Sequence, residues 1–342
     1  MPVVVLNWNG LNDTISCMDH LLASQGVTFR AILVDNGSEG DDYQQLSARY
    51  ATNPWVELRH NPENLGFARG MNGILTELMG SEGARPRYVA LLNNDAFPEP
   101  GWLAALVEMA ESSGAGAVAS CMLRHDNSDL LDNAGHVFLN TGEVLPRGSA
   151  ELAQRYNQPA EVVGSCGGAC LLRLEMLEDI GIFDEFYSTG YEDAELGLRA
   201  WLAGYHQVYQ PAARVSHKVG ASIDKIRDLN YAVTLQVNIH YAYFKLLPAA
   251  VIAWNMPWIL LKTLGMLLVP TLSGRWRLLR VQWLALCRTV SQWRIIRDAR
   301  RKSPGPRIGC RAIRRRQEFF LVRYWQYFRR FIVRGERTIF ER

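Results

Sequence analysis

The sequence predicts an α/β protein with a mostly parallel central sheet, followed by a helical, basic C-terminal region. Three observations carry this. Apolar stretches of strand length alternate with helix-like stretches through the first 113 residues, the pattern of right-handed crossovers and a parallel sheet. Three of those apolar stretches end abruptly in polar residues, at Asn7 and Asn9, at Asp35, and at Asn93 to Asp95. The charge is divided along the chain: residues 1–272 carry 17 Lys and Arg against 30 Asp and Glu, a net of −13, whereas residues 273–342 carry 20 against 4, a net of +16. A composition that is 48% hydrophobic and 21% charged excludes a disordered chain. The residues ahead of the first strand lack the charged and apolar pattern of a secretory signal. The six Cys show neither zinc spacing nor disulfide density and read as reduced cytosolic thiols.

The elements follow in order. Val3 to Leu6 is a strand ending in amides, with a helix from about Asp13 to Ala23. Phe29 to Val34 repeats the plan and ends in Asp35-Asn-Gly-Ser38, and a third strand covers Trp55 to Arg59. The Gly-rich stretch Asn61 to Gly73 opens a helix reaching about Met79. It has neither dinucleotide-binding nor P-loop spacing, but a Gly-rich helix start can hold an anion through its free N–H groups. Tyr88 to Leu92 is apolar without alternation, which suits a strand covered on both faces. It delivers Asn93-Asn94-Asp95, a carboxylate flanked by amides that suits a divalent cation holding phosphates, or a plain turn.

Beyond Gly114 the pattern changes. Gly116 to Leu123 reads as a strand, and Asn140-Thr-Gly142 as the turn of a hairpin. Gly167 and Gly168 lead small residues into another strand and suggest a close backbone approach, to a ligand or within the packing. Tyr187 to Gly190 is a loop, and a helix runs from Tyr191 or Glu192 to about Ala203. Glu192 and Asp193 favour a helix start through the dipole, and one of them can also serve as a general base at a pocket mouth. His206 to Gln210 is a short strand, and His217 lies in the Gly/Ser-rich loop beyond it, as a structural residue or a ligand.

Taken together, Asn7-Trp-Asn9, Val34-Asp-Asn-Gly-Ser38, Asn64-Leu-Gly-Phe67, Leu92-Asn-Asn-Asp95, Tyr191-Glu-Asp193 and His217 stand in the order seen in glycosyltransferase family 2. The chain most resembles its rhamnosyltransferase-like branch, which builds bacterial surface polysaccharides, over roughly residues 2–222. The resemblance implies a GT-A fold over 1–222, with a nucleotide-binding half (1–113) and an acceptor half (114–222), and a membrane-associating region over 223–342. It implies inverting transfer of rhamnose or a similar sugar from a dTDP- or UDP-linked donor to a lipid-linked or glycan acceptor, with Mg²⁺ or Mn²⁺. On this reading Asp193 is the catalytic base, and Asn7, Asn9, Asp35, Asn64, Gly66, Asn93 and Asn94 hold the donor. Gly167, Gly168, Tyr191 and Glu192 face the acceptor, and Asp95 with His217 holds the metal. Asn93 stands where the family's Asp-x-Asp element has its first acid, so the metal has one carboxylate fewer.

The tail supplies the membrane reading. Leu246 to Leu272 is apolar and long enough to reach across a bilayer, but Pro248, Asn255, Pro257 and Lys262 argue against a simple span. A single span would also place the +16 tail opposite the cytosolic domain, against the positive-inside rule. An interfacial or re-entrant segment at the cytoplasmic face of a bacterial inner membrane is therefore expected. Trp276, Leu279, Trp283, Leu286, Val290 and Trp293 recur at helical spacing among arginines, an amphipathic basic helix for anionic lipid or for packing on its own domain. Phe319 to Phe331 repeats the mix. Rival readings are a nucleotidyltransferase, a processive polysaccharide synthase, which lacks its Gln-x-x-Arg-Trp element here, and a nucleic-acid-binding protein using the basic tail; no nucleic acid is expected as partner.

Overall fold

The computed structural model describes residues 1–81, 85–218 and 228–327. Its first part alternates strand and helix: β1 (Pro2–Asn7), α1 (Leu11–Leu22), β2 (Arg30–Asn36), α2 (Asp42–Tyr50), β3 (Val56–Asn61), α3 (Gly66–Gly80), β4 (Tyr88–Asn93), β5 (Ala96–Pro98) and α4 (Trp102–Ser113). Next come β6 (Ala117–Arg124), β7 (Asn127–Asn133), the hairpin β8 (His136–Phe138) and β9 (Val144–Pro146), then β10 (Ala160–Glu161) and β11 (Ala169–Arg173). This part closes with α5 (Leu174–Ile180), α6 (Glu192–Leu202) and β12 (Gln207–His217). Six helices follow: α7 (Leu229–Leu246), α8 (Ala249–Leu272), α9 (Trp276–Ser291), α10 (Trp293–Lys302), α11 (Cys310–Arg316) and α12 (Phe320–Tyr327).

The main sheet runs β10-β12-β6-β11-β4-β1-β2-β3, with β5 beside β12 and β7 beside β6. The pairs β1–β2, β1–β4, β2–β3 and β6–β12 are parallel, and β11 runs against both its neighbours. The expected mostly parallel sheet therefore forms. It is buried on both faces, which is why its strands read as unbroken apolar runs. Val3, Val5, Leu33 and Leu92 pack with Cys17, Met18, Leu21, Trp102 and Leu106 from α1 and α4. Val4, Ile32, Val34 and Leu91 pack on the other face with Met71, Leu75 and Leu78 of α3.

Register places the polar strand ends at one level. Asn7 pairs with Asp35, Asp35 with His60, and Leu6 with Asn93. These ends lie where the strand order turns from β1–β2–β3 to β4, the crevice at which open α/β sheets take their ligands.

Three elements depart from the sequence reading. Helix α2 was not anticipated, because only Leu46 and Tyr50 turn inward from a polar stretch. Strand β7 was also missed, being a polar strand that pairs only with β6. Strand β12 does not stop at Gln210: it passes an irregularity between Gln210 and Arg214 and ends at His217, so this His is a strand residue and not a loop residue. The boundary expected near residue 222 and the far end of the 319–331 stretch lie outside the described residues.

The tail helices differ in which face they bury. Helix α8 runs unbroken through Pro257 and Pro270, so these prolines do not end it. Its polar Asn255 and Lys262 face inward, while Trp254, Leu260, Leu261, Leu264, Leu267, Leu268 and Leu272 are exposed. Helix α9 packs through Val281, Ala285 and Thr289, with Val281 and Ala285 set against Ala232, Val233 and Val237 of α7. That leaves Trp276, Trp283, Leu286 and Val290 in the open, together with Trp293 at the start of α10. The tryptophan stripe is thus not the packing face.

Candidate functional site

The cleft is built from the strand ends. Asn7 is fully buried; its amide donates to Asp35 at 2.8 Å and to Ser38 and Asp42 at 3.1 Å, and its carbonyl accepts from Thr14 at 2.6 Å. Asp35 accepts from the Ser38 hydroxyl at 2.6 Å and meets His60 Nδ1 at 3.1 Å. The His60 ring, itself half exposed, lies 4.4 Å from that of Tyr43. Asn9 sits at φ 51 with its backbone N–H on Ser38 and its carbonyl accepting from Glu39 N–H. Gly37 is required here: it has φ +69, and a Cβ would stand 2.1 Å from the Glu63 backbone. This contact seats the 63–66 loop, where Asn64 caps Gly66 N–H at 2.8 Å and accepts from Asn36 at 3.0 Å. Asn94 is also internal, donating to Thr14 at 3.0 Å. Asn7 and Asn94 therefore brace the cleft from behind, and Asn9, Asn64, Gly66 and His60 form its nearer rim.

At the end of β4, Asp95 is buried against His217, which β12 brings across by pairing with β5. Asp95 Oδ1 and His217 Nε2 face each other at 3.3 Å, and neither has a well-formed hydrogen bond among the described residues. The other ring nitrogen, Nδ1, is held by Asp132 of β7 at 2.9 Å. Burial pulls the imidazole down, but the Asp132 and Asp95 carboxylates outweigh it and lift it to about 10. Two buried, unsatisfied ligand atoms aimed at one point fit a divalent cation, with Asp132 orienting the His from behind as outer-shell carboxylates do. Among the described residues no three His, Cys, Asp or Glu make a closed metal cage. Such an ion would complete its shell with diphosphate oxygens and water, the usual habit of Mg²⁺ sites.

Asp193 lies in the first turn of α6. Its Oδ2 accepts from Gly167 N–H at 2.8 Å and its Oδ1 from its neighbour Ala194 N–H at 2.7 Å. The adjacent Gly168 gives its carbonyl to Asn93 N–H at 2.8 Å. Consecutive glycines thus join the strand end that carries Asp95 to the carboxylate of Asp193. Their closeness is internal: a Cβ on Gly167 would stand 3.2 Å from Phe67, and one on Gly168 3.1 Å from Met122. Helix α6 sits this near because Gly197 meets Gly164, where a Cβ on Gly197 would lie 2.6 Å from the Gly164 Cα.

The neighbouring acids part company. Burial first, and the charge of Asp193 second, push Glu192 up to about 8, and its Oε2 has no partner among the described residues. Glu195 is not solvated; it is fully buried and pairs with Arg199 at 2.9 Å and Lys245 at 2.7 Å. Burial would raise this carboxyl, but those two cations hold it below its ordinary range. Tyr191 turns its ring into the core at φ +80, and its hydroxyl accepts from Val144 N–H at 2.7 Å. A cavity of about 550 Å³ lies elsewhere, between Asp184, Arg199, Lys245 and Lys302, but Asp184, Arg199 and Lys245 are tied up in this same ion network. All six Cys are free.

The missed contributors are Ser38, Asp42, His60 and Asp132. Ser38 was quoted only as part of a motif. Asp132 had no signal, because β7 lacks the apolar alternation that marks a strand.

Comparison with known proteins follows the same lines. The chain is 32% identical over 205 residues to the N-acetylglucosaminyl-diphospho-decaprenol L-rhamnosyltransferase of Mycobacterium tuberculosis, covering 54% of this chain and 65% of that protein. It therefore spans just under two thirds of that relative's length. It is 32% identical over 225 residues to the O-antigen biosynthesis protein RfbC of Myxococcus xanthus, covering 63% of this chain and 17% of that one. The mannosyltransferase PcManGT of Pyrobaculum calidifontis, solved with GDP-Man and Mn²⁺, has a TM-score of 0.52 at 16% identity over 84% of this chain and 86% of that one. GalNAc-T7, solved with UDP, GalNAc and Mn²⁺, has a TM-score of 0.56 at 14% identity over 72% of this chain and 47% of that one. At such identities the structural likeness speaks to the fold, which is GT-A. The family model for glycosyl transferase family 2 matches residues 3–181, more than half of the sequence, and the chain belongs to that family.

Proposed function

We propose that this transferase moves rhamnose or a similar sugar, with inversion, from a dTDP- or UDP-linked donor to a hydroxyl of a lipid-linked or glycan acceptor. The observation that carries this is the junction at Gly167–Gly168, which sets Asp193 beside the strand end bearing Asp95 and its facing His217. Asp95 and His217 would hold Mg²⁺ or Mn²⁺, which when bound offsets the negative charge of the leaving diphosphate. Asp193 takes the proton of the acceptor hydroxyl as that oxygen attacks the anomeric carbon. Two backbone N–H groups fix its carboxylate and leave lone pairs free to accept. Glu192 keeps its proton at neutral pH and is unsuited to the same task. A single displacement from the face opposite the leaving group inverts the centre, and no carboxylate nucleophile is needed. The expected product carries the anomeric configuration opposite to that of the donor, read by proton NMR. Retention would overturn the single-displacement reading.

The acceptor's lipid accounts for the tail. Among the described residues only α8 is long and apolar enough to cross a membrane. Its inward Lys262 pairs with Glu143 of the hairpin loop at 2.7 Å, which ties the middle of the helix to the domain and favours lying on the bilayer over spanning it. The exposed leucines of α8 and tryptophans of α9 supply apolar contact, and the arginines around them suit the anionic cytoplasmic face of a bacterial inner membrane. Replacing Trp276, Trp283 and Trp293 together by Ser is expected to reduce flotation with phosphatidylglycerol vesicles while leaving the melting temperature close to wild type. Undiminished flotation would remove this surface from the account.

A further inference from the structure

Lys262 is an unusual residue for the place it occupies. It lies on α8 amid leucines that face outward, yet it is 8% exposed and donates to Glu143 Oε1 at 2.7 Å. Asn255, seven residues earlier and hence on the same helix face, is fully buried as well. Glu143 also accepts from Tyr324 of α12 at 2.7 Å and from the Thr141 hydroxyl. Buried ion pairs are weak contributors to stability, and apolar side chains of similar volume would pack at least as well. What such a pair supplies is a fixed register, because each charge tolerates no other partner.

The register reaches α6. The residue after Glu143 is Val144, whose N–H is spent on the Tyr191 hydroxyl at 2.7 Å. Tyr191 holds a left-handed backbone, φ +80, which a bulky residue keeps only when its surroundings impose it. The surroundings are visible: Asn238 of α7 clamps the carbonyls of Thr189 and Gly190 at 3.0 and 2.8 Å, and Val144 pins the ring from the other side. This kink sets the direction in which α6 departs, and Asp193 is two residues on.

We propose that Tyr191 and Glu143 are positioning residues for the Asp193 carboxylate, and that Lys262 links their setting to the seating of α8 on lipid. The inference rests on the reading of Asp193 as the base. Sugar transfer is then fastest when the apolar face of α8 is embedded, because a helix held at the bilayer holds Glu143, the hairpin and Tyr191 in one arrangement.

The test uses the full chain, bare and on phosphatidylglycerol vesicles. Hydrogen exchange is read at the Gly167 amide, which donates to Asp193. In wild type, vesicles raise protection there. In Tyr191→Phe and Lys262→Met, protection at Gly167 falls and no longer responds to vesicles, while β1 and β4 stay protected and the variants still float. With dTDP-rhamnose and N-acetylglucosaminyl-diphospho-decaprenol, kcat falls between about ten-fold and 10²-fold, the scale of an ångström misplacement, and donor affinity holds. Glu143→Gln/Lys262→Met, which leaves no unpaired charge, carries the same test if Lys262→Met does not fold. Wild-type protection at Gly167 and wild-type kcat in these variants would overturn the inference. So would loss of protection throughout the sheet, which marks a merely structural role. If Asp193→Asn itself keeps transfer, the reading of the base has failed instead.

Discussion

Asp193→Asn is expected to fold, to bind nucleotide sugar and metal as wild type does, and to lose transfer by roughly 10²-fold or more, the range for a lost general base. The amide can keep one of the two backbone hydrogen bonds, to Gly167 or Ala194, but cannot take up a proton. Glu192→Gln is expected to keep most of the activity at neutral pH, because Gln resembles the protonated carboxyl that Glu192 presents there. The sign of the pH effect follows. As pH rises through about 8, Glu192 ionises beside Asp193, and the wild-type rate should fall as two adjacent carboxylates crowd the site. Glu192→Gln cannot ionise and should lose that alkaline limb. The measurement is transfer rate at saturating donor across pH, beside donor affinity, for both variants. A dead Glu192→Gln with an active Asp193→Asn would assign the base to the other carboxyl.

Much of the fold was legible because its determinants are local. Tyr88 to Leu92 is apolar throughout since helices cover both faces, and the jump to Asn93 marks the point where the strand leaves the core. The hairpin around Asn140-Thr-Gly142 and the start of α6 at Glu192 carried their own turn and cap chemistry. What failed was long-range. Helix α2 shows a polar face because it covers the sheet with two side chains only. Pro211 and the irregularity before Arg214 hid the second half of β12, so His217 read as a loop residue. Asp132 lies 85 residues from His217 in sequence, and only the β6–β7–β12 pairing joins them. The inward turn of Lys262 was equally hidden, since its partner Glu143 is 119 residues away.

Asp95→Ala should cost the metal-assisted part of donor affinity altogether. Asp95 supplies the carboxylate at this strand end, with Asn93 in the neighbouring acid position, and His217 alone is one neutral nitrogen. Losing an outer-shell partner costs about 10–100-fold in metal affinity, so Asp132→Asn should fall in that range and Asp95→Ala beyond it. The fold should survive, because the variant also frees His217 from a buried carboxylate that has no hydrogen bond of its own. The most direct measurement is calorimetric titration of dTDP and UDP into the full chain, with Mn²⁺ and with a chelator. The account predicts that at least one nucleotide binds wild type more tightly with Mn²⁺ and that Asp95→Ala binds it with the same weak affinity under both conditions. Metal dependence that survives intact in Asp95→Ala, or no metal dependence in wild type, would contradict it.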